Sequence, residues 1–394
     1  MVKLEDCVIV SAVRIPIGRF GGSLRDFKVY DLGGEAIRAA IERAGITPDS
    51  VDEVIMSHTR QDGTGTNPAR TASLKGGVPI PVPAHTVNKV CAAGFKAVAL
   101  ATQAIRVGDA DIVVAGGMES MSNIPHLLRG ARWQGFRLTN ITIDDGFLYL
   151  ICPISGLSIG EIAERAVERH KVAREQMDQI GYESHMKAAK AWEDGVFDKE
   201  VVPVTIPAKK KQPESVFSKD ECFRSDASLE KMQKLPPAFK KDGKVTAGQS
   251  SGITDGAGAM VIMSRQKANE LGLKPMASIV SYMFHGVDPA DFPEGPSVTI
   301  PMHLKKTGLT LEDITAFEIN EAFAVVNAIC INEAGIPWEK TNIHGGGISL
   351  GHPTGYTGAR LTLHLANILK PGELGLAAAC GGGGLTGSMI VRGE

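Results

Sequence analysis

The sequence repeats part of itself at a spacing of about 264 residues, and this repeat constrains the fold more than any other feature. Segment 44–51 (AGITPDSV) has a counterpart in 307–314 (TGLTLEDI), with an offset of 308 − 45 = 263 residues between their glycines. Segments 94–115 and 358–379 both contain a helix-like stretch, a glycine and a strand-like run, at an offset of 372 − 108 = 264. Two motifs at nearly one offset predict a duplicated domain.

Within each copy, short β-branched runs alternate with alanine-rich stretches. The runs predicted as strands are 8–10, 51–56, 112–115, 314–318 and 375–379, and the stretches predicted as helices are 31–44, 94–107 and 358–370. Glycine follows the first helix at position 45, which is a typical stop signal. Strands that alternate with helices indicate an α/β fold with a mainly parallel sheet.

A long insertion separates the two copies, so we expect three parts. They are an N-terminal half at 1–118 that is completed by about 247–272, an inserted domain at 119–246, and a C-terminal half at 273–394. The insertion contains a charged helical stretch at 161–195 and a basic segment at 205–244, where ten Lys or Arg outnumber six Asp or Glu. The basic segment is either a solvated surface or a patch for an anionic ligand such as a nucleotide phosphate.

Composition and charge exclude several classes of protein. The 394 residues carry a net charge of −2, which gives no reason to expect nucleic acid or a membrane surface as a partner. We find neither a secretory signal nor a run of ~18 apolar residues, so we expect a cytoplasmic protein. The six cysteines lack CxxC spacing, which predicts neither a metal site nor a disulfide framework. They are Cys7, Cys91, Cys152, Cys222, Cys330 and Cys380.

The repeat singles out one cysteine and one histidine. Cys91 lies three residues before the predicted helix start at Gly94, and at an offset of 264 it matches Gly355, close to His352. Two packed, symmetric halves would bring these helix starts together. A helix N-terminus favours a thiolate, and a neighbouring imidazole can take the thiol proton. Either residue alone is more often an ordinary core or surface residue than a catalytic one.

Two further candidates follow predicted strands. Cys380 ends the last strand of the second copy and precedes four glycines, whose amides suit an oxyanion. Asn320 follows the strand at 314–318 and could orient a water or an oxygen. A flexible glycine turn and a helix-capping asparagine are the competing interpretations.

Four motifs, in this order along the chain, resemble those of thiolases. They are 87–94 (VNKVCAAG), 320–324 (NEAFA), 346–353 (GGISLGHP) and 380–382 (CGG). The resemblance covers essentially the whole chain. It implies two α/β halves in a layered α-β-α-β-α core, with an inserted loop domain that binds coenzyme A.

The resemblance also implies roles for these residues. Cys91 becomes acylated, His352 activates it, and Cys380 removes or donates the proton of the second acyl-CoA. Asn320 holds a water that forms one oxyanion hole with His352, and the amides of Cys91 and Gly382 form the other. The reaction would be reversible Claisen condensation and thiolysis, without a metal or redox cofactor, since the coenzyme A thioesters are substrates.

The binding residues that the resemblance implies are Ser251 at the pantetheine arm, Arg224 near the adenine, and Ile159, Phe292 and Phe323 around the acyl group. Ser158 and Ile159 replace a family His-Met pair, and Phe292-Pro293 replaces a Met-Gly pair. The expected activity is that of an acetyl-CoA C-acetyltransferase. The acyl group stays open, because these departures would also suit a 3-ketoacyl-CoA thiolase for larger groups.

Other functions remain as alternatives. An inactive acyl-CoA-binding protein of the same fold would not need Cys91, Asn320, His352 and Cys380 together. Ketoacyl synthases lack a second catalytic cysteine, and a dinucleotide-dependent redox enzyme would need a GxGxxG loop. Thiolases associate as dimers and tetramers, so we expect a homodimer or homotetramer.

Overall fold

The computed structural model describes residues 6–138, 140–147, 151–209 and 213–394. Its α-helices are α1 (Val29–Ala44), α2 (Pro68–Lys75), α3 (Ala93–Val107), α4 (Ala131–Gln134), α5 (Ile159–Arg169), α6 (Arg174–Glu193), α7 (Leu229–Gln233), α8 (Arg265–Glu270), α9 (Gly295–Thr307), α10 (Ala324–Ala334), α11 (Gly347–Leu350) and α12 (Thr357–Ile368). Its strands are β1 (Cys7–Arg14), β2 (Gly18–Arg19), β3 (Glu53–Ser57), β4 (Ala84–Val87), β5 (Ile112–Ser120), β6 (His126–Leu127), β7 (Asp144–Asp145), β8 (Val204–Ile206), β9 (Ser215–Phe217), β10 (Thr254–Ser264), β11 (Ala277–Gly286), β12 (Ile314–Ile319), β13 (Leu374–Gly381) and β14 (Leu385–Gly393).

The predicted helices and strands of the repeat are confirmed, with shifts at their ends. Helices α3 and α12 begin at Ala93 and Thr357, each one residue earlier than predicted. Gly45 ends α1 with a left-handed φ of 71°, and Gly308 ends α9 with a φ of 73°, so the repeated glycines end equivalent helices. The charged stretch at 161–195, predicted as helical, contains two helices, α5 and α6.

The main sheet has ten strands and is mixed. Its order is β12-β13-β14-β11-β1-β10-β5-β3-β4, with β2 beside β10. Strand β3 runs parallel to β4 and β5, and β12 runs parallel to β13, whereas the other described pairs are antiparallel. The prediction of a mainly parallel sheet is therefore wrong. A tight turn at 382–384 joins β13 to β14, so no crossover helix makes that pair parallel.

Helices and strands form five layers. Helices α3 and α12 share a core between the two halves of the sheet, and Met260 and Ile262 of β10 point into it. Val261 and Met263 point the opposite way, into the outer core under α1 and α2. Helices α9 and α10 cover the outer face of the other half. This arrangement confirms the layered α-β-α-β-α core.

Two glycines allow α3 and α12 to touch at their starts. A Cβ at Gly94 would lie 2.1 Å from Ala359 N, and a Cβ at Gly358 would lie 2.6 Å from Phe95 N. The two glycines are 358 − 94 = 264 residues apart, so equivalent positions of the repeat meet. This contact brings the loop before α3 next to the loop before α12.

We expect Gly94→Ala to destabilise the fold by about 3 kcal/mol, because the new methyl group overlaps the backbone of α12. Chemical denaturation measures this change. Gly286→Ala is the control, because the nearest atom to a Cβ there is Gly384 O at 3.9 Å, and its effect should stay within about 0.5 kcal/mol. Equal stability of the Gly94 variant and the wild type would contradict the close contact.

One segment, Val90–Val107, is long and apolar enough to cross a membrane by length and composition, which we did not expect from the sequence. It contains α3, and 61% of it is buried inside the protein. Because its apolar residues pack into the core shared with α12, it is the central helix of the fold.

A buried ion cluster joins the insertion to the N-terminal half. Arg14 Nε lies 2.7 Å from Glu200 Oε1, and its Nη atoms lie 2.7 and 2.9 Å from the Asp220 carboxylate. A buried arginine needs such pairing, because an unpaired charge in the interior is strongly destabilising.

Lys210 and Lys211 of the basic segment lie outside the described residues. The boundaries of the three predicted parts stay predictions.

Candidate active site

Cys91 lies in a strained turn between β4 and α3. Val90 has a φ of 51°, a left-handed value that is unusual for a β-branched residue. The Val90 amide donates a hydrogen bond to the Asn88 side chain at 3.1 Å. A Cβ at Gly381 would lie 3.3 Å from Val90 Cβ and 3.4 Å from Cys91 N, so a glycine lets the C-terminal half approach this turn closely. Strain of this kind persists only where packing enforces it.

His352 contacts the cysteine as the repeat predicts. Its Nε2 lies 3.2 Å from Cys91 Sγ, and both side chains are buried. On the other side of the ring, Nδ1 lies 2.6 Å from Oγ1 of Thr357, which is the first residue of α12. The structure therefore brings the two predicted residues within hydrogen-bond distance across the two halves.

Thr357 determines which nitrogen of His352 carries the proton. The Thr357 hydroxyl donates to Pro353 O at 3.1 Å, so its oxygen is left to accept from His352 Nδ1–H. Nε2 then carries the free lone pair that faces Cys91 Sγ. The sequence did not identify Thr357, although its position five residues after the histidine, at the start of a helix, was a usable signal.

Burial keeps both members of the pair neutral at rest. It lowers the pKa of His352 to about 4, assisted by the positive charge of Arg360. Burial also raises the pKa of the Cys91 thiol to about 12, although the charge of Arg60 and the amides of Gly382 and Cys91 act in the opposite direction. The backbone amides at the helix start act in the direction that we expected, towards the thiolate, but desolvation outweighs them.

Cys380 lies at the end of β13, fully buried, next to the same turn. Burial raises the pKa of its thiol well above the usual value, and the neighbouring Cys91 adds to this. A Cβ at Gly295 would lie 3.5 Å from Cys380 Cβ, so α9 begins against this side chain. The second predicted cysteine therefore shares the site with the first, as a protonated thiol.

Asn320 and two backbone amides complete the polar lining. Asn320 Nδ2 lies 3.4 Å from His352 Nε2, and its buried Oδ1 has no hydrogen-bond partner among the described residues. Gly347 allows this approach, because a Cβ there would lie 3.0 Å from Asn320 Oδ1. The amides of Gly382 and Cys91 act on the Cys91 thiol by lowering its pKa. The site thus combines Asn320, next to His352, with two backbone amides that favour the Cys91 thiolate.

Glu321 helps to hold the segment that carries His352. The sequence did not predict this role, although Glu321 belongs to the motif at 320–324. Its buried carboxylate accepts hydrogen bonds from Ser184 Oγ at 2.6 Å, Asn342 Nδ2 at 2.8 Å and Ile348 N at 3.1 Å. Burial raises its pKa, against the effect of these donors. Glu321 therefore links α6 of the insertion to the segment that carries His352.

Four of the predicted binding residues lie near one another. Ser251 donates from both N and Oγ to Ala322 O, at 3.1 and 3.0 Å. Phe323 packs edge-on against Phe239, with ring centroids 5.7 Å apart. Ile159, Phe292 and Phe323 belong to one apolar cluster. Phe239, which the sequence did not identify, lies against the start of α5, because a Cβ at Gly160 would be 2.1 Å from its ring.

Arg224 stands apart from that cluster in its contacts. Its side chain is exposed, and its amide donates to His185 Nδ1 on α6 at 3.1 Å. The guanidinium therefore lies at the surface of the insertion.

The family is established by comparison with known proteins. Residues 7–266 match the model of the thiolase N-terminal domain, and residues 273–393 match that of the thiolase C-terminal domain. The chain therefore belongs to the thiolase family and is an acyltransferase.

Relatives and solved structures span the whole chain. A probable acetyl-CoA acyltransferase of Staphylococcus epidermidis is 44% identical over 387 residues, covering 98% of each chain. The acetyl-CoA acetyltransferase of Bacillus anthracis superimposes with a TM-score of 0.95 at 42% identity, covering 99% of each chain. Human mitochondrial 3-ketoacyl-CoA thiolase in complex with CoA gives 0.93 at 36% identity, covering 99% of this chain and 98% of its own.

Proposed function

We propose that this thiolase catalyses the reversible reaction acyl-CoA + acetyl-CoA = 3-oxoacyl-CoA + CoA through an S-acyl intermediate on Cys91. The observation that carries the proposal is the 3.2 Å contact between Cys91 Sγ and His352 Nε2, the nitrogen that has the free lone pair. Cys380 beside this pair supplies the second proton-transfer group that the reaction requires.

Thiolysis begins when Cys91 gives its proton to His352 and its sulfur attacks C3 of the 3-oxoacyl group. The amides of Cys91 and Gly382 donate to the oxygen that becomes negative. The C2–C3 bond then breaks, and the departing acetyl-CoA enolate takes the proton of Cys380 at C2. The raised pKa of Cys380 suits this step, because the thiol is protonated at rest.

Until C2 is protonated, the enolate oxygen carries negative charge and needs hydrogen-bond donors of its own. His352 carries the Cys91 proton at this stage, and Asn320, with a water that it holds, completes the second oxyanion hole. The proton on His352 then passes to the Cys380 thiolate, which restores both groups. Coenzyme A next gives its thiol proton to His352 and attacks the acyl carbonyl, and Cys91 leaves as a thiolate and takes that proton from His352, which restores the resting site.

Coenzyme A binding is expected on the insertion side of the site. Ser251 would meet the pantetheine arm and Arg224 the nucleotide, which agrees with the exposed guanidinium and with the human relative solved with CoA. We expect the reaction to need no metal and no redox cofactor, because the coenzyme A thioesters are its substrates. A cytoplasmic homodimer or homotetramer remains the proposed state.

Acetyl transfer is the baseline activity that we propose, and it is supported by the names of the relatives. Larger acyl groups are the second candidate, because one of the similar solved structures is human mitochondrial 3-ketoacyl-CoA thiolase and because Ile159 and Phe292 are expected to alter the acyl pocket. The deciding experiment incubates the purified protein with CoA and either acetoacetyl-CoA or 3-oxohexanoyl-CoA, and follows acetyl-CoA by mass spectrometry. Cleavage of neither substrate would favour an inactive acyl-CoA-binding protein.

We expect Thr357→Val to slow acylation of Cys91 by about 10- to 100-fold, because the His352 Nδ1–H loses its buried acceptor and the tautomer is no longer held. Acetylation by acetyl-CoA, followed by intact mass, measures this rate.

The matched control for this variant is Thr362→Val. Thr362 is also buried on α12, but its hydroxyl donates to the carbonyl four residues earlier, at 3.0 Å, whereas the partner of His352 Nδ1 is Thr357. Thr357→Ser should recover most of the rate, because it retains the hydroxyl. If Thr357→Val and Thr362→Val slowed acylation equally, the orienting role would be wrong.

A further inference from the structure

Arg60 stands beside the nucleophile, and the reaction proposed above gives it no role. It follows β3 in a loop that runs along the turn carrying Cys91. The His58 amide in this loop donates to Val87 O at 3.0 Å, and Asn88 Nδ2 donates to Thr59 O at 3.4 Å. The two residues before Arg60 are therefore attached to Val87 and Asn88, which lead into the turn at Cys91.

The positive charge of Arg60 is not neutralised by the carboxylate beside it. Glu119 accepts from the Arg60 amide at 3.2 Å, but its oxygens lie 2.6 Å from His58 Nδ1 and 2.7 Å from Gly355 N. Burial alone would raise the pKa of Glu119, but His58 and these donors hold it at about 2. The Glu119 carboxylate is thus committed to other partners.

The guanidinium itself has unused hydrogen-bonding capacity. Arg60 is half-buried, and its Nε is buried with no hydrogen-bond partner in the part of the chain that the structure describes. Its charge lies close enough to Cys91 to oppose the effect of burial on the pKa of that thiol. A buried donor without a partner is unfavourable, so an acceptor from a ligand would stabilise it.

We propose that Arg60 binds a carboxylate at the far end of the acyl chain on Cys91, so that the preferred substrates are 3-oxoacyl-CoAs whose acyl chain ends in a carboxylate. This inference rests on the proposed function, since it names the acyl group of the same reaction. A guanidinium binds a carboxylate through two parallel hydrogen bonds, whereas a methyl end would leave it unpaired. The nucleotide phosphates are expected over the insertion, at Arg224, whereas Arg60 belongs to the N-terminal half.

The first half-reaction tests this directly. Purified protein is mixed with succinyl-CoA or butyryl-CoA, which have the same number of acyl carbons, and the rate of Cys91 acylation is followed by intact mass. Glutaryl-CoA and pentanoyl-CoA repeat the comparison at one more carbon. In each case the thioester bond to coenzyme A breaks, the bond to Cys91 Sγ forms, and the thiol proton passes through His352 to the departing sulfur.

We expect Cys91 of the wild type to be acylated about 10- to 100-fold faster by the carboxylate-ended acyl-CoA than by the methyl-ended one. This factor is the range that a charge-assisted hydrogen bond contributes. Arg60→Leu should abolish this ratio, and Arg60→Lys should retain part of it. Arg38→Leu is the control, because Arg38 lies exposed on the outer helix α1 and pairs with Glu35 and Glu42. The ratio of the two acylation rates in this variant should equal that of the wild type.

The outcomes separate this inference from the proposed function. Acylation by acetyl-CoA and butyryl-CoA without preference for either carboxylate-ended chain would overturn the inference and leave the thiolase reaction intact. An equal loss with both chain types in Arg60→Leu would also overturn it, because Arg60 would then act on Cys91 alone. Failure of every acyl-CoA, acetyl-CoA included, to acylate Cys91 would overturn the proposed function as well.

Discussion

Cys91→Ala is expected to reduce the rate of thiolysis by roughly 10⁴-fold or more. A loss of this size is typical when the nucleophile is removed from a site in which nucleophile and base act together. The variant keeps His352 and Cys380 but has no sulfur to form the acyl intermediate. Thiolysis would then require direct attack of coenzyme A on a ketone carbon, without the step that divides the reaction in two. Steady-state formation of acetyl-CoA from acetoacetyl-CoA measures the loss.

The control for this variant is Cys222→Ala. Cys222 is partly exposed, whereas Cys91 is buried, so Cys222 is the thiol that a non-specific reagent would reach more easily. Removal of the Cys222 thiol should leave the rate of thiolysis within about twofold of the wild type, as for a substitution away from the site. The acyl adduct of the wild type should map by peptide mass to Cys91, and an adduct on Cys222 would contradict the nucleophile assignment.

The repeat explains why the core of the site could be predicted. Equal offsets identified Cys91 and His352 as members of equivalent loops, and Gly94 and Gly358 provide the contact that joins those loops. The sheet direction was predicted wrongly for a physical reason. The prediction rested on strands that alternate with helices, and β3 with β5 and β12 with β13 are indeed parallel, but the unpredicted strands β10, β11 and β14 add antiparallel pairs.

Residues that act through geometry could not be predicted in the same way. Thr357 matters because its hydroxyl donates to Pro353, which only the start of α12 reveals. Arg60 matters because a loop following β3 runs beside the turn at Cys91 and because Glu119 is already occupied. The protonation state of Cys91 depends on burial, which a helix start read from sequence does not report.

Cys380→Ala is expected to separate the two half-reactions. Acetylation of Cys91 by acetyl-CoA needs only Cys91, His352 and the amide donors, so its rate should stay within about threefold of the wild type. Thiolysis should fall by about 10²- to 10⁴-fold, the range that a positioned proton donor contributes. The enolate formed when C2–C3 breaks would have no thiol to protonate it, and the same group would be missing as the base in condensation.

Cys330→Ala distinguishes this effect from the loss of any buried thiol. Cys330 is also buried, on α10 in the same apolar cluster as Cys380, and burial raises its pKa too, but it lies on a helix and not at the strand end beside Cys91. We therefore expect Cys330→Ala to retain both half-reactions, with a modest loss of stability. Stopped-flow release of CoA on acetylation, measured beside steady-state thiolysis, gives both rates for each variant. If Cys380→Ala slowed acetylation as much as thiolysis, Cys380 would be a packing residue, because a proton donor to the enolate has no part in the first transfer.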